Sequence, residues 1–375
     1  MHRTGTANLP LHYGKAPTWL TTRMKNLAKQ ITTIIIDEYG QPEFLKRISD
    51  PFWFQAFGCV LGYDWHSSGV TTVVTGVLKE AIKPHEHGIA VCGGKGKASR
   101  QTPVEIGNAG EEFGFSGANV DALRYASKMS AKVDNTAVQA GYHLYHHTFF
   151  IAENGKWAVI QQGMCTQDRT ARRYHWLSEN VKSFVVEPHN AIVGDARREI
   201  ALDMTADVSE GCRKASVDIV KEKPEKIMRM ILPNNPDHQK SLQDWLPKTD
   251  ETHCRIDFLS MPRGINWKAL RGVYEFQPSN YEELLSCKGV GPATVRGLAL
   301  IAELVYGEKP SWKDPVKYSF AYGGKDGVPY PVDRKAMDES IQMLRETIHA
   351  AKIGDKERMQ SLQALRRFVP EDISH

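Results

Sequence analysis

The 375-residue chain is long enough for two domains or one large one, and with 41% hydrophobic and 25% charged residues it has the composition of an ordinary soluble protein. Its 48 Lys and Arg against 44 Asp and Glu leave a net charge of +4, too mild to establish nucleic-acid binding and no obstacle to it. Six cysteines without a Cys-x-x-Cys pair suggest neither a zinc knuckle nor a disulfide framework, and no run approaches the roughly 20 apolar residues of a membrane span, so a cytoplasmic protein with reduced thiols and no membrane partner is expected.

In chain order, Leu20, Met24, Leu27, Ile31 and Ile34 or Ile35 recur at helical spacing and predict a helix from Thr18 to Glu38 that stops at Gly40. The apolar segment Phe52 to Leu61 leads through Gly62-Tyr63-Asp64-Trp65-His66-Ser67-Ser68-Gly69 into a third helix with Val70, Val74, Val77 and Leu78 on one face. A strand from Gly88 to Cys92 is followed by the glycine-rich basic loop Gly93 to Arg100. Its Lys95 and Lys97 are candidate phosphate contacts, although the spacing is not that of the nucleotide-binding P-loop.

The next segment predicts one helix from Val120 to His147. On it Lys128, Lys132, Asn135, Gln139, His143 and His146 share a polar face at about 100° per residue, while Asp134 falls among apolar positions where a carboxylate needs a partner or a metal. Asn154-Gly155 between two β-rich runs predicts a hairpin with positive φ at both turn positions. Gln161 and Gln162 then abut Arg169, Arg172, Arg173 and His175, suggesting an anion site. Ala191 to Val220, Pro224 to Ile231, Trp267 to Val273 and a pair of segments between Asp333 and Phe368 read as helices. The expected fold class is therefore α+β: a mixed domain over 1–190 with a small β-sheet and helices, and a mainly helical domain over 191–375.

Within the second half, Tyr281 to Leu304 reads as two short helices around Lys288-Gly289-Val290-Gly291-Pro292. The glycines permit a close turn, Pro292 suits a first helical position, and the turn amides with the second helix's positive end form an anion site. This stretch resembles the helix-hairpin-helix motif of DNA repair and recombination proteins, through Leu285 to Pro292 and the apolar face Val295, Leu298, Ile301 and Ala302. The resemblance implies sequence-independent grip on a DNA backbone by Lys288, Gly289, Val290, Gly291 and Thr294. The chain as a whole resembles a prokaryotic family known only as domain of unknown function seven hundred and sixty-three, through Arg3 to His12, Asp50-Pro51-Phe52-Trp53-Phe54-Gln55, Gly62 to Thr72 and Tyr330-Pro331-Val332-Asp333-Arg334. That name supplies no activity.

Three clusters are candidates for chemistry: Asp64 with His66, the pair His85-x-His87, and the group around Lys132, Asp134, Gln139, His143, His146 and His147. Phosphodiester hydrolysis needs a metal-bound or base-activated water and cations for the charged transition state. The leading expectation is a DNA-processing enzyme, a metal-dependent nuclease using Mn²⁺ or Mg²⁺. Asp64, His66, Asp134, Gln139, His143 and His146 would be catalytic, Asp134, His143 and His147 metal ligands, and Lys95, Lys97, Lys132, Arg172 and Arg173 phosphate contacts. Two alternatives stand beside it. One is a helix-hairpin-helix DNA glycosylase, for which Lys288 and Asp333 are superficial matches at the wrong spacing. The other is a non-enzymatic DNA-binding or scaffold protein, with Tyr142, Tyr145, Trp157 and Trp176 stacking bases. A homo-oligomer and an RNA substrate stay open.

Overall fold

Helix α1 (Thr18–Ser49) is two helical stretches joined at Gly40, where a φ of 82° breaks the first and Pro42 lies in the opening turn of the second. The computed structural model describes residues 18–62, 69–194, 197–231, 259–316, 334–351 and 354–366. Asp50 caps α2 (Pro51–Val60) by accepting from the Trp53 amide at 2.7 Å, and every residue of that helix is buried. Then come α3 (Gly69–Ala81), the short α4 (Pro84–His87), β1 (Ile89–Lys95), a 3-10 turn over Gly96–Gln101 and α5 (Thr102–Glu112).

The segment read as one helix to His147 divides. Helix α6 (Gly117–Lys132) starts on Ser116, whose hydroxyl accepts from the Asn119 amide, and passes into a π-helical turn over Val133–Ala137. The two-residue strand β2 (Val138–Gln139), Gly141 with φ 87° and the strand β3 (His143–Ala152) follow. The hairpin to β4 (Trp157–Cys165) is at the predicted place, but only Gly155 has positive φ. The Gly155 amide donates to Ala152 O and the Ala152 amide to Lys156 O, which makes a longer turn ending in one left-handed glycine. Strand β5 (Thr170–Leu177) continues the meander. Where a helix from Ala191 was predicted, β6 (Ala191–Gly194) pairs with β5 and β7 (Leu202–Asp203) pairs with β2, before α7 (Glu210–Val220) and α8 (Pro224–Ile231). Helices α9 (Trp267–Phe276), α10 (Tyr281–Ser286), α11 (Pro292–Tyr306), α12 (Arg334–Ala350) and α13 (Asp355–Arg366) complete the chain.

The five-stranded antiparallel sheet, order β1-β3-β4-β5-β6, is buried on both faces. Alternate residues of β3 feed separate cores: Phe150 and Ala152 pack with α1, α2, α3 and with Met343, Leu344 and Ile348 of α12. Phe149 and Ile151 join the cluster of α5, α6 and α7 to α11. Burial on both faces is why these strands read as continuous apolar runs. The α+β class holds, with a small sheet and a mainly helical second half. Residue 190, where the sequence divides most naturally, directly precedes β6 within the sheet, and the buried pair Arg172–Asp314, 2.6 Å apart, ties β5 to the segment after α11. Among the described residues no helix is long and apolar enough to cross a membrane.

Candidate functional site

Two irregularities direct polar side chains to one place. The register of β3 on β4 slips between Leu144 and His146, so Tyr145 is an extra, bulged residue. The π-helical turn after Lys132 ends α6 beside this bulge. Between them lies a cleft of about 550 Å³. Helix α6 contributes Arg124, Ser127, Lys128 and Lys132, strand β3 contributes Tyr145, His146 and His147, the former basic loop contributes Ser99, and the turn into α11 contributes Val290, Gly291 and Pro292. Among the described residues no carboxylate lines it.

The turn between α10 and α11 is joined directly to α6. Lys128 Nζ donates to Ser286 O at 2.8 Å, Lys132 Nζ to Cys287 O at 3.3 Å, and the Tyr125 hydroxyl to Glu282 at 2.8 Å. Gly289, at φ 86°, turns the chain where an added Cβ would lie 2.8 Å from Ala269 Cβ. Gly291 caps α11 without a side-chain hydrogen bond, and Pro292 takes the first helical position. The positive end of a 15-residue helix therefore opens on a cleft already carrying two lysines. Burial, and then the neighbouring Lys128, hold the Lys132 ammonium below the usual lysine pKa.

Behind the cleft runs a chain of buried hydrogen bonds. Ser127 Oγ is 2.8 Å from His147 Nε2, and His147 Nδ1 is 2.8 Å from Gln161 Oε1. Gln161 Nε2 donates to Ser130 O at 3.0 Å and to Asp134 Oδ2. Asp134 also accepts from Trp176 Nε1 at 3.0 Å and pairs with His189 Nε2. Burial drives the His147 pKa down, against opposing contributions from Gln161 and Asp134. Burial, with His147 and Lys95 beside it, takes His146 to about 3. His146 Nε2 lies 2.9 Å from both Thr75 Oγ1 and Thr148 Oγ1, while its Nδ1 is buried without a partner.

The structure gathers some predicted residues and scatters others. Lys132, His146, His147, Val290 and Gly291 meet at the cleft; Lys95, Lys97 and Lys288 are exposed, with Lys95 Nζ 5.8 Å from the Tyr145 ring centroid. Gln139 is a tie rather than a reacting group, donating to Thr136 O and Pro292 O at 2.8 and 2.9 Å. His143 is exposed at the start of β3, apart from the network holding Asp134. Asp64, His66 and Asp333 lie outside the described residues.

The remaining candidates are corrected by burial. Thr294 is buried within the first turn of α11. Arg172 and Arg173 have no exposed surface and cannot contact a phosphate from outside. Burial pulls the Arg172 pKa down, but its pair Asp314 together with Tyr174 and Tyr142 raises it above the usual arginine value. Arg173 donates to Gln55 and His175 and stacks 4.5 Å over Phe54, with burial lowering its pKa to about 9. Tyr142, Trp157 and Trp176 are core residues. His87 is buried against Thr33 and the Lys83 amide, while His85 is exposed, so the two do not form a chelate.

The predicted metal ligands do not fit a metal either. Asp134 accepts from neighbouring donors, both ring nitrogens of His147 are engaged, and His143 stands elsewhere. Among the described residues no group of three or more His, Cys, Asp or Glu comes together to hold one. Sequence reasoning missed Ser127 and His189. Ser127 had one accessible signal, its place two helical turns before Asp134 on the same face; His189 had none, since it meets Asp134 only through the fold.

No curated protein and no solved structure matches the chain. The sequence model of DUF763, a family described as protein of unknown function, matches residues 5–332, and the chain belongs to that family.

Proposed function

We propose that the cleft between α6 and the α10–α11 turn holds the sugar–phosphate backbone of a nucleic-acid strand, and that the protein is a DNA-binding, DNA-processing protein. The observation that carries this reading is the positive character of the cleft: the side-chain-free cap of α11, Lys128, Lys132 and Arg124 line it, the last paired with Asp121 at 3.4 Å, and among the described residues no carboxylate does. Backbone amides at a helix start and lysines as point charges suit phosphate oxygens and carry no base preference. The close turn at Gly289 and Gly291, resembling a helix-hairpin-helix, supports the same reading. Exposed Lys95, Lys97 and Lys288 extend the positive surface.

Metal-dependent cleavage has less support, because Asp134, His143 and His147 do not assemble; among the original candidates it falls back on Asp64 and His66. Fluorescence anisotropy with labelled single-stranded, duplex and RNA oligonucleotides across a salt series tests the proposal. Binding that weakens log-linearly with salt and shows little sequence preference is expected. Absence of salt-dependent binding to all three would sink it.

A further inference from the structure

The buried chain behind the cleft fixes a proton arrangement that backbone binding does not require. Gln161 Nε2 faces two groups that can only accept, Ser130 O and the Asp134 carboxylate, so its amide oxygen must face His147. His147 Nδ1 therefore carries the hydrogen, and in the neutral ring Nε2 is a bare acceptor. Ser127 Oγ, 2.8 Å away, donates its proton to that nitrogen. This is the polarity of a serine nucleophile and its general base, with an amide in place of a carboxylate behind the histidine. Asp134 in turn holds that amide, fixed by Trp176 and His189. Ser127 and His147 both line the cleft that carries Lys128, Lys132 and the α11 N-terminus, cations and dipole suited to a developing oxyanion.

We propose that Ser127 is a catalytic nucleophile, with His147 as its base and Gln161 as the residue positioning His147, for transfer of a phosphodiester held in the cleft; the substrate class rests on the backbone-binding reading. Ser127 Oγ attacks phosphorus as its proton passes to His147 Nε2. In line on the opposite side of phosphorus, the P–O bond to the departing nucleotide oxygen breaks, and that oxygen takes a proton from solvent while His147 returns its own to solvent. A serine-linked phosphodiester results, which water or a strand hydroxyl releases by the reverse proton path. No oxidant, reductant or metal is needed for the balance.

The test uses the intact chain and a biotinylated fluorophosphonate, which forms an Oγ–P bond at an activated serine and expels fluoride, followed by peptide mapping. One label on Ser127 is expected, absent after unfolding in detergent and reduced about 100-fold in His147→Gln. Gln161→Ala should lower the labelling rate and move its pH midpoint down, because the Gln161 hydrogen bond supports the basicity of His147; a purely structural role leaves that midpoint in place. No label on Ser127, while a control serine hydrolase is labelled in the same tube, overturns the proposal without any variant having to fold. A second arm incubates wild type and Ser127→Ala with end-labelled oligonucleotides and looks for adducts that survive boiling in detergent. An adduct mapped to Ser127 supports the proposal, and equal adducts in both proteins overturn it. Ser127 labelling without salt-dependent DNA binding keeps the nucleophile and removes the nucleic-acid reading; binding without Ser127 labelling does the reverse.

Discussion

The side-chain amide of Gln139 donates to the carbonyl oxygen of Pro292 at 2.9 Å, so β2 holds the first residue of α11 from 153 positions away. The same nitrogen donates to Thr136 O at 2.8 Å, closing the π-helical turn onto itself. One amide group thus fixes both the turn that ends α6 and the turn that starts α11.

Replacing Gln139 by Ala removes both bonds and leaves two carbonyl oxygens short of a donor. A loss of about 1–3 kcal/mol is expected, with faster amide exchange over residues 289–294. Urea unfolding and hydrogen-exchange mass spectrometry check this; unchanged exchange in the turn would contradict the role given to Gln139.

On the proposed backbone-binding reading, the lysines of α6 set the salt response. In Lys128→Ala/Lys132→Ala, DNA affinity should fall across all sequences and the slope of log affinity against log salt should decrease by about two, roughly one per lost phosphate contact. Arg173→Met should leave the slope untouched, because that guanidinium has no surface. Equal slopes in wild type and the lysine variant would remove α6 from the interface.

Gly289→Ala is strained twice. A residue with a side chain at φ 86° costs about 1–2 kcal/mol, and the new Cβ would lie 2.8 Å from Ala269 Cβ. Lower thermal stability together with weaker DNA binding is expected, while Gly272→Ala, inside α9 where an added Cβ meets nothing within 4 Å, should leave DNA binding unchanged and raise stability by about 0.5–1 kcal/mol.

Asp134 is the keystone of the inner network. Asp134→Ala leaves the donors of Trp176, Gln161 and His189 facing no acceptor, at about 1–3 kcal/mol each. We expect severe destabilisation measurable by denaturant titration. A variant as stable as wild type would show that the network contributes little.

Acid should weaken the fold by forcing charge onto histidines that are buried neutral. Burial depresses the histidine pKa values at 146, 147 and 175 in the folded chain, reaching about 3 at His146. Unfolded histidines near 6.5 therefore bind protons that folded ones refuse. Their contribution is complete above about pH 6.5 and is lost as pH falls from there toward each folded pKa, about 3 for His146, at roughly 1.4 kcal/mol per pH unit for each group. Unfolding midpoints measured from pH 7.5 to 5 should fall steadily; a flat profile would show that these rings are protonated when folded.

How much of this was legible differs by element. Helices α1, α3, α9, α10 and α11 announce themselves by apolar spacing and by glycine or proline at their ends, and the turn around Gly289 and Gly291 is readable for the same reason. The error over 120–147 has a specific cause. The polar positions of α6 continue at helical spacing through Gln139 and His143, while β3 is buried on both faces and shows no clean alternation to betray it. Gly141 was the available stop signal. Asp134 was correctly marked as a carboxylate in apolar company, but its partners Gln161, Trp176 and His189 lie 27, 42 and 55 residues away, distances at which only the folded sheet sets the pairing. Arg172 and Arg173 misled because adjacent arginines usually face water; here consecutive strand residues point to opposite faces, and both faces are covered.

The bonds joining α6 to the α10–α11 turn span 155 to 158 residues. A ribosome adding about 5–20 residues per second completes α6 many seconds before that turn emerges. During that interval Lys128, Lys132 and Ser127 lack the turn, so the nascent chain has no assembled cleft. Synthesis order thereby acts as a timer, deferring assembly of the cleft until the turn has docked on α6.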